Sequence, residues 1–292
     1  MLNILQIVLP TFIIIFIGYL FGKIYRNSIE SVVNIALYIA VPVLVFSSML
    51  EYEIVLFDAA KIWAAASIII FGCPTIAWLV FKVFKQKHSG LYLPIAMMNN
   101  LNIPFPIIYL VYGSEGLVAA TLFLIPWNII MNSFGIYIGA GGQWRDNIKE
   151  ITKQPVFYAS VLGLILNILD FQLPALIISS LDFIAPMAIP LVLIILGFNL
   201  SKVRLNSIKT TLLASFLRMG VGLGLGLVTV NIFNIEGVFR AVVILISAMP
   251  AAAMSSIFVA KYKNEAELVS SVVLLTTIAS LFTIPLLLKM LG

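Results

Sequence analysis

Residues 97–109 read Met-Met-Asn-Asn-Leu-Asn-Ile-Pro-Phe-Pro-Ile-Ile-Tyr, and they interrupt a long apolar run. The interruption consists of three asparagines and two prolines, namely Asn99, Asn100, Asn102, Pro104 and Pro106. A proline has no backbone N–H to donate, so a regular helix cannot pass through this segment undisturbed. The amide groups are costly to bury without hydrogen-bond partners. At membrane depth such a segment is tolerated only where it is buried in protein or lines a water-filled cavity, so it predicts a ligand site.

The composition of the whole chain predicts an integral membrane protein. Of the 292 residues, 62% are hydrophobic and only 10% are charged, and the mean hydropathy is +1.14. Soluble domains are about one half apolar and about one quarter charged. Long apolar runs without strict alternation favour a bundle of helices over a β-barrel. Because the chain has one cysteine, Cys73, and one histidine, His88, no Cys/His metal cluster and no cofactor are expected.

The apolar runs can be counted as membrane spans. A spanning helix needs about 20 apolar residues, and ten segments approach that length. They are residues 4–22, 31–50, 61–81, 90–112, 116–140, 155–170, 174–199, 208–231, 238–260 and 267–290. Most lysines and arginines follow the odd-numbered segments, so the positive-inside rule predicts a multi-pass protein of the cytoplasmic membrane with both termini extracytoplasmic. This pattern explains the net charge of +5 without nucleic acid as a partner.

Landmark residues of the first half recur in the second half at nearly constant separation. The pairs are Pro10 with Pro155, Gly18 with Gly163, Pro42 with Pro190, and Pro104 and Pro106 with Pro250. Each half holds five predicted spans, so the second half enters the membrane from the opposite side. The chain is therefore predicted to be an all-α protein of two inverted five-helix repeats, residues 1–150 and 151–292. Helices 4 and 9 are expected to be broken and to cross near the midplane.

Five short motifs, spread over nearly the whole chain, carry a family resemblance by their order and spacing. They are Leu9-Pro10 with Gly18-Tyr19-Leu20, residues 34–46 with Val41-Pro42-Val43-Leu44, residues 99–106, Leu196-Gly197-Phe198-Asn199-Leu200, and residues 249–262 with Met249-Pro250. In these motifs the chain resembles the auxin efflux carrier family of membrane transporters, as a bacterial member related to the plant PIN-formed auxin carriers. The resemblance implies a scaffold domain and a transport domain, each built from both repeats. It also implies a crossover fold like that of sodium/proton antiporters and bile-acid carriers, with substrate bound beside the crossing helices.

The resemblance also implies roles for individual residues. Asn99 stands in the place of an asparagine that contacts substrate in the plant members, and Pro250 matches the family's crossover proline. Pro104 departs from the family pattern, which usually has glycine there, and Asn102 stands where an apolar residue is usual. Ala251 replaces a polar residue of the plant members, which argues against an auxin-like substrate. Bacterial members of the family are associated with small carboxylates such as malate or malonate.

The candidate substrate site lies around the two predicted breaks. Its residues are Asn99, Asn100, Asn102 and Pro104 in the first break, Ser247, Pro250 and Ala251 in the second, Pro42 in the second span and Arg218 in the eighth. Amides can bind a carboxylate, and half-helix N-termini add a partial positive charge. The alternative is that the asparagines only satisfy backbone groups freed by the prolines, and that Pro250 is a simple kink.

Arg218 and Asp182 are charged residues that lie well inside predicted spans rather than at their ends. Arg218 either attracts an anionic substrate or replaces a coupling cation; alternatively it pairs with Asp182, bonds to backbone carbonyls or snorkels to the surface. Asp182 is either a buried proton or sodium site or a surface residue that caps the seventh span. Asn128 and Asn132 share a helix face that either lines the cavity or packs between helices.

These observations predict a secondary transporter or facilitator of a small organic anion, working by alternating access. Its substrate would be a carboxylate such as malate, malonate or an auxin-like acid. The alternative is a sodium-coupled bile-acid-type organic anion symporter, and sodium and a proton are both open as coupling ions. No enzyme activity is expected, because one loop histidine and one intramembrane aspartate form no catalytic pair. The expected partners are the carboxylate and the lipid bilayer, and the resemblance is compatible with a homodimer.

Overall fold

The computed structural model describes residues 2–25, 27–51, 56–130, 155–203, 206–261 and 265–291. Within these ranges the chain is helical and forms no strand longer than a single isolated bridge. The helices are α1 (Leu2–Ile24), α2 (Glu30–Glu51), α3 (Leu56–Val83), α4 (Tyr92–Ala96), α5 (Pro104–Ile130), α6 (Pro155–Ile168), α7 (Ala175–Leu200), α8 (Ile208–Ile232), α9 (Gly237–Ser247), α10 (Ala253–Lys261) and α11 (Ala266–Leu291).

The lengths of these helices fit a membrane protein. Six of them, α2, α3, α5, α7, α8 and α11, are long and apolar enough to cross a bilayer. Shorter apolar helices are Leu9–Ile24 within α1, together with α6 and α9. The prediction of an all-helical, multi-pass membrane protein is therefore confirmed. The predicted end of the fifth span beyond residue 130, and the boundary between the two repeats at residue 150, lie outside the described residues.

Two helices change their winding next to prolines. In α2, residues Ala36–Ala40 form a π-turn, in which the N–H of Val41 donates to the carbonyl of Ala36. In α7, residues Ala185–Met187 form a 3-10 turn that contains Pro186 and lies ahead of Pro190. A proline ring collides with the carbonyl of the preceding helical turn, so the winding adjusts there. Thus α2 and α7, from different halves of the chain, are both irregular near their middle.

The sequence predicted a short loop between the fourth and fifth spans, whereas the structure replaces it with one glycine. Gly113 has φ 61 and ψ −151, and it divides α5 into residues 104–112 and 114–130. This conformation is readily adopted only by glycine, which lacks a Cβ atom. The direction of the helix therefore changes at Gly113 without any intervening loop residues.

Close backbone contact joins α1 to α7. A Cβ atom added to Gly18 would overlap the carbonyl oxygen of Ile194, and one added to Gly197 would overlap that of Ile15. Lipid provides little hydrophobic drive for helix association, so packing at small residues of this kind is a main source of stability in a membrane. The α1–α7 contact therefore depends on glycine on both helices.

The centre of the molecule is not a long helix. Every residue of the segments 93–100 and 241–252 is buried. These segments contain the ends of α4 and α9 and the non-helical residues that follow each of them. We call the non-helical residues 97–103 and 248–252 the first and second interruption. The other helices surround them, so the two interruptions lie in the protein core.

Candidate functional site

The two interruptions contact each other through their backbones. The N–H of Asn99 donates to the carbonyl oxygen of Pro250 over 2.7 Å, and the N–H of Ala252 donates to that of Met97 over 2.7 Å. The residues between these bonds form an isolated antiparallel bridge. Backbone groups released from a helix need partners in an apolar core, and here each interruption supplies partners to the other.

Asn99 uses half of its amide to cap α5. Its Oδ1 accepts hydrogen bonds from the N–H groups of Asn102, at 3.0 Å, and Ile103, at 3.4 Å. These are N–H groups at a helix start, which have no partner within the helix. The Nδ2 group of Asn99 has no hydrogen-bond partner among the described residues, although the side chain is only 3% exposed. Oδ1 of Asn99 therefore caps the helix, as one of the two interpretations predicted. Nδ2 is not used in this cap, and it remains available to a ligand.

Asn100 makes no hydrogen bond with its side chain in the described part of the chain. Both Oδ1 and Nδ2 are buried without a partner, and the residue is 3% exposed. Leaving a buried polar group unsatisfied costs about 1–3 kcal/mol. Such an arrangement has no evident benefit for folding, and a bound ligand would satisfy both atoms.

These amides line a cavity of about 170 Å³. One water molecule needs roughly 10–15 Å³ on this scale, so the cavity has room for several waters or a small ligand. The interruptions and the start of α10 contribute Met97, Asn99, Asn100, Leu101, Asn102, Ala252, Ala253 and Met254. The surrounding helices contribute Val33, Leu37, Val41, Leu124, Trp127, Asn128, Val156, Val192, Ile195 and Asn199.

The cavity is polar without being charged. Of the described residues that line it, none carries an ionisable side chain, and its polar groups are five amides and the indole of Trp127. The Nε1 group of Trp127 is buried and has no partner in the described ranges. Helices α5 and α10 both begin beside the cavity, and a helix N-terminus carries about half a positive elementary charge. The cavity thus combines unpaired N–H donors with a partial positive field, which suits an anion.

Arg218 contacts the helix ends next to both interruptions and is not among the residues that line this cavity. It is completely buried on α8. Its Nη1 donates to the carbonyl oxygen of Ile95 over 2.8 Å and lies 3.6 Å from Cys73 Sγ, and its Nη2 donates to the carbonyl oxygen of Ser247. Of the alternatives that the sequence left open, the structure therefore shows bonding to backbone carbonyls. It shows no pairing with Asp182 among the described ion pairs.

Several other predicted site residues lie behind the cavity rather than in its wall. Pro104 is the first residue of α5, and Ser247 is the last residue of α9. The N–H of Ala251 donates to Thr276 Oγ1 over 3.1 Å, and Pro250 accepts the bond from Asn99. Pro42, from α2, is buried next to the lining residue Val41.

The structure agrees with a surface position for Asp182, but not with a buried site or with a helix cap. The side chain is exposed rather than buried, and α7 begins at Ala175, so Asp182 is not its N-cap. With Ser47 and Glu51 it lines two cavities between the C-terminal half of α2 and the N-terminal half of α7. The opposite halves of these two helices line the amide cavity. Asp182 therefore faces a gap between helices, which an apolar sequence context does not reveal.

Two residues of the cavity wall were not identified as candidates from the sequence. Asn199 belongs to the quoted motif 196–200, so its amide was a usable signal. Trp127 gave no such signal, because a tryptophan in an apolar span is usually a packing or interface residue. Asn128 lines the cavity, in agreement with one of its two interpretations. Asn132 lies outside the described residues.

Comparison with known proteins identifies relatives of the whole chain. The family model described as "Membrane transport protein" matches residues 143–288. The chain is 27% identical to "Uncharacterized transporter MJ1031" of Methanocaldococcus jannaschii, over 97% of both chains. It is 26% identical to an "Uncharacterized transporter" of Methanothermobacter thermautotrophicus, over 96% of both chains. A shorter match, also at 26% identity, covers 57% of the chain and 59% of "Uncharacterized transporter YfdV" of Escherichia coli K12.

The family match begins before α6 and ends in α11, so it includes the second interruption, and the two archaeal relatives extend the similarity over the first. The prediction made from the five motifs is confirmed: the chain belongs to the membrane transport protein family, which is the auxin efflux carrier family.

Proposed function

We propose that the protein is a secondary carrier or facilitator of a small organic anion across the cytoplasmic membrane, working by alternating access. The observation that carries this proposal is the uncharged cavity at which α5 and α10 begin and which Asn99 and Asn100, with their unpaired amide groups, help to line. A carrier of this kind performs no covalent chemistry. It must bind an anion firmly enough to select it and weakly enough to release it, and neutral donors are suited to that balance.

The wall of the cavity indicates the chemical class of the substrate. The Nδ2 groups of Asn99 and Asn100 and the Nε1 group of Trp127 can donate to carboxylate oxygens. Each helix N-terminus contributes about 0.3–1 kcal/mol to the binding of a negative charge. Aliphatic side chains such as Val192 and Ile195 can cover a short carbon skeleton. We therefore propose a small carboxylate such as malate, malonate or an auxin-like acid.

Alternating access is supported by the position of cavities along one interface. The amide cavity lies beside one half of α2 and α7, and the cavities with Asp182 lie beside the other half. The hydroxyl of Ser48, in the wall of one of the cavities with Asp182, lies 3.5 Å from the hydroxyl of Thr121 on α5, and both residues are buried. We propose that α2 and α7 belong to the scaffold domain, and that the interrupted helices form the transport domain that moves past it.

The proposed topology has ten spans in two inverted repeats. Gly113 supplies the turn between the fourth and fifth spans, and α4 with the first part of α5 counts as one interrupted span. In the same way α9 and α10 count as the interrupted ninth span. Both termini are then extracytoplasmic, in keeping with the distribution of lysine and arginine.

A binding experiment on the purified protein tests the proposal. Thermal unfolding would be measured with malate, malonate and indole-3-acetate, and with the neutral diamide of malonate as a control. A ligand at 100 times its Kd stabilises a protein by about 2.7 kcal/mol, so a carboxylate that binds will raise the Tm clearly. The diamide should have no effect, because it lacks the charge that the helix N-termini favour.

A binding-site variant makes the result specific. Asn100→Leu should abolish the Tm shift caused by the carboxylate, because it removes an unpaired amide from the cavity wall. If no carboxylate in the screen binds to the wild type or crosses the membrane in reconstituted vesicles, the proposal is rejected.

A further inference from the structure

The carbonyl ends of the two interrupted helices meet at one side chain. Ile95 lies in the last turn of α4, and Ser247 is the last residue of α9. Their carbonyl oxygens both accept hydrogen bonds from the guanidinium of Arg218. In transporters with interrupted helices, such C-terminal ends and unwound carbonyls coordinate the coupling cation. In this protein the carbonyls are occupied by a cation that is part of the chain.

We propose that Arg218 is a resident cation, which takes the place of a coupling sodium ion and makes the transport of organic anions independent of sodium. This inference rests on the proposed carrier function. Arg218 is a positioning residue, since its guanidinium lies outside the wall of the amide cavity. It acts by holding α4 and α9 together, so that their partner segments α5 and α10 present their N-termini to the same cavity.

The charge balance at Arg218 supports this assignment. In the described part of the chain the ion pairs are Lys61–Asp58 and His88–Glu265, and no carboxylate pairs with Arg218. An unpaired charge in the core is strongly unfavourable unless something else offsets it. The carbonyl oxygens at the ends of α4 and α9 carry partial negative charge, and the two that accept hydrogen bonds from Arg218 offset part of its positive charge. These carbonyls therefore form a site that favours a cation.

The geometry of the guanidinium explains why arginine suits this position. Its two terminal nitrogens contact carbonyls on two different helices, whereas an ammonium group offers a single nitrogen. Gly222, one turn further along α8, leaves room for this contact. A Cβ atom there would overlap both Arg218 Nη2 and the carbonyl oxygen of Ser247.

The test is thermal unfolding without substrate, in sodium chloride and in choline chloride at equal ionic strength. The wild type should have the same Tm in both salts. Arg218→Lys and Arg218→Gln form a matched pair, because both shorten the side chain and only lysine keeps the charge. We expect Arg218→Lys to lower the Tm and to remain insensitive to sodium. We expect Arg218→Gln to have a lower Tm, which sodium or methylguanidinium raises by about 2 °C or more.

Two results would overturn the inference. One is a sodium-specific rise in the Tm of the wild type, which would support the sodium-coupled alternative. The other is an equal response to cations in the lysine and glutamine variants, which would reduce Arg218 to a hydrogen-bonding cap. If Arg218→Gln does not fold, Arg218→Lys decides the question. A Tm of Arg218→Lys that is higher in sodium chloride than in choline chloride would contradict the proposal. No carboxylate is present, so these results are distinct from failure of the proposed substrate site.

Discussion

The backbone N–H of Asn99 donates to the carbonyl oxygen of Pro250 over 2.7 Å, which joins the two interruptions of the chain directly. With the reciprocal bond from Ala252 to Met97, it gives the released backbone groups partners that water cannot provide in an apolar core. Breaking these bonds separately would leave buried donors and acceptors unpaired. We therefore expect the two interruptions to move together rather than to slide past each other.

Asn99 and Asn100 should differ in their contribution to stability. Asn99→Ala removes the cap of α5, which costs about 0.5–2 kcal/mol. Asn100→Ala removes two buried polar atoms that have no partner in the described residues, so the free energy of unfolding should be unchanged or slightly higher. The free energy of unfolding of each variant in chemical denaturant, compared with the wild type, measures this difference.

Both asparagine variants should lose affinity for the carboxylate. A hydrogen bond to a charged group contributes about 1.5–3 kcal/mol, so each Kd should rise roughly 10-fold to 100-fold. Isothermal titration with the carboxylate found in the screen provides the measurement. An Asn100→Ala variant that binds like the wild type but unfolds more easily would show that this amide is structural.

A larger side chain within the cavity should block binding while the fold is retained. Val192 on α7 lines the cavity opposite the interruptions, and Val192→Trp would occupy much of the 170 Å³. Binding of the carboxylate should weaken more than 10-fold, since the ligand and the indole ring compete for the same volume. Leu212→Trp is the matched control, because Leu212 on α8 is 53% exposed and has space for the ring. Equal loss of binding in both variants would mean that the cavity is not the substrate site.

The contact of α1 with α7 should not tolerate a methyl group. Gly197→Ala places a Cβ atom against the carbonyl oxygen of Ile15, and overpacking of this kind typically costs about 1–3 kcal/mol. Gly224→Ala on α8 is the control, because no atom lies within 4 Å of the added Cβ and alanine favours a helix by about 1 kcal/mol. The Tm should fall for the first variant and stay level or rise for the second. The opposite order would show that α1 and α7 can separate without loss of stability.

Features that follow from local chemistry could be predicted from the sequence. Apolar runs gave the helices, and the prolines and asparagines of residues 97–109 marked a segment that the structure shows to be non-helical between α4 and α5. A proline fits the first turn of a helix but disturbs the turn before it, and buried amides require partners, so neither inference needs the tertiary structure. The five motifs identified the family for a different reason, because their order along the chain is itself a property of the sequence.

Features that depend on which elements face each other could not be predicted in this way. Arg218 had several open interpretations, since its partners Ile95 and Ser247 are distant in sequence. Asp182 was assigned to the interior or to a cap, because the gap between α2 and α7 leaves no periodic signature in the apolar sequence. Trp127 enters the cavity wall through the orientation of α5 after the turn at Gly113. That orientation is set by one glycine whose conformation the sequence does not disclose.

The inverted repeat makes a prediction about the two sides of the membrane. Lys87 follows α3 and Glu236 follows α8, and both side chains are exposed. If α8 repeats α3 with inverted orientation, their C-terminal ends must lie on opposite sides, with Lys87 cytoplasmic and Glu236 extracytoplasmic.

In a background with Cys73→Ser, a membrane-impermeant maleimide should label Glu236→Cys in intact cells. It should label Lys87→Cys only after the membrane has been made permeable. Ala66→Cys controls for nonspecific reaction, because Ala66 is fully buried and should stay unlabelled under both conditions. Labelling of Lys87→Cys and Glu236→Cys from the same side would contradict the inverted arrangement of the two halves. The symmetry of the repeats would then no longer support alternating access.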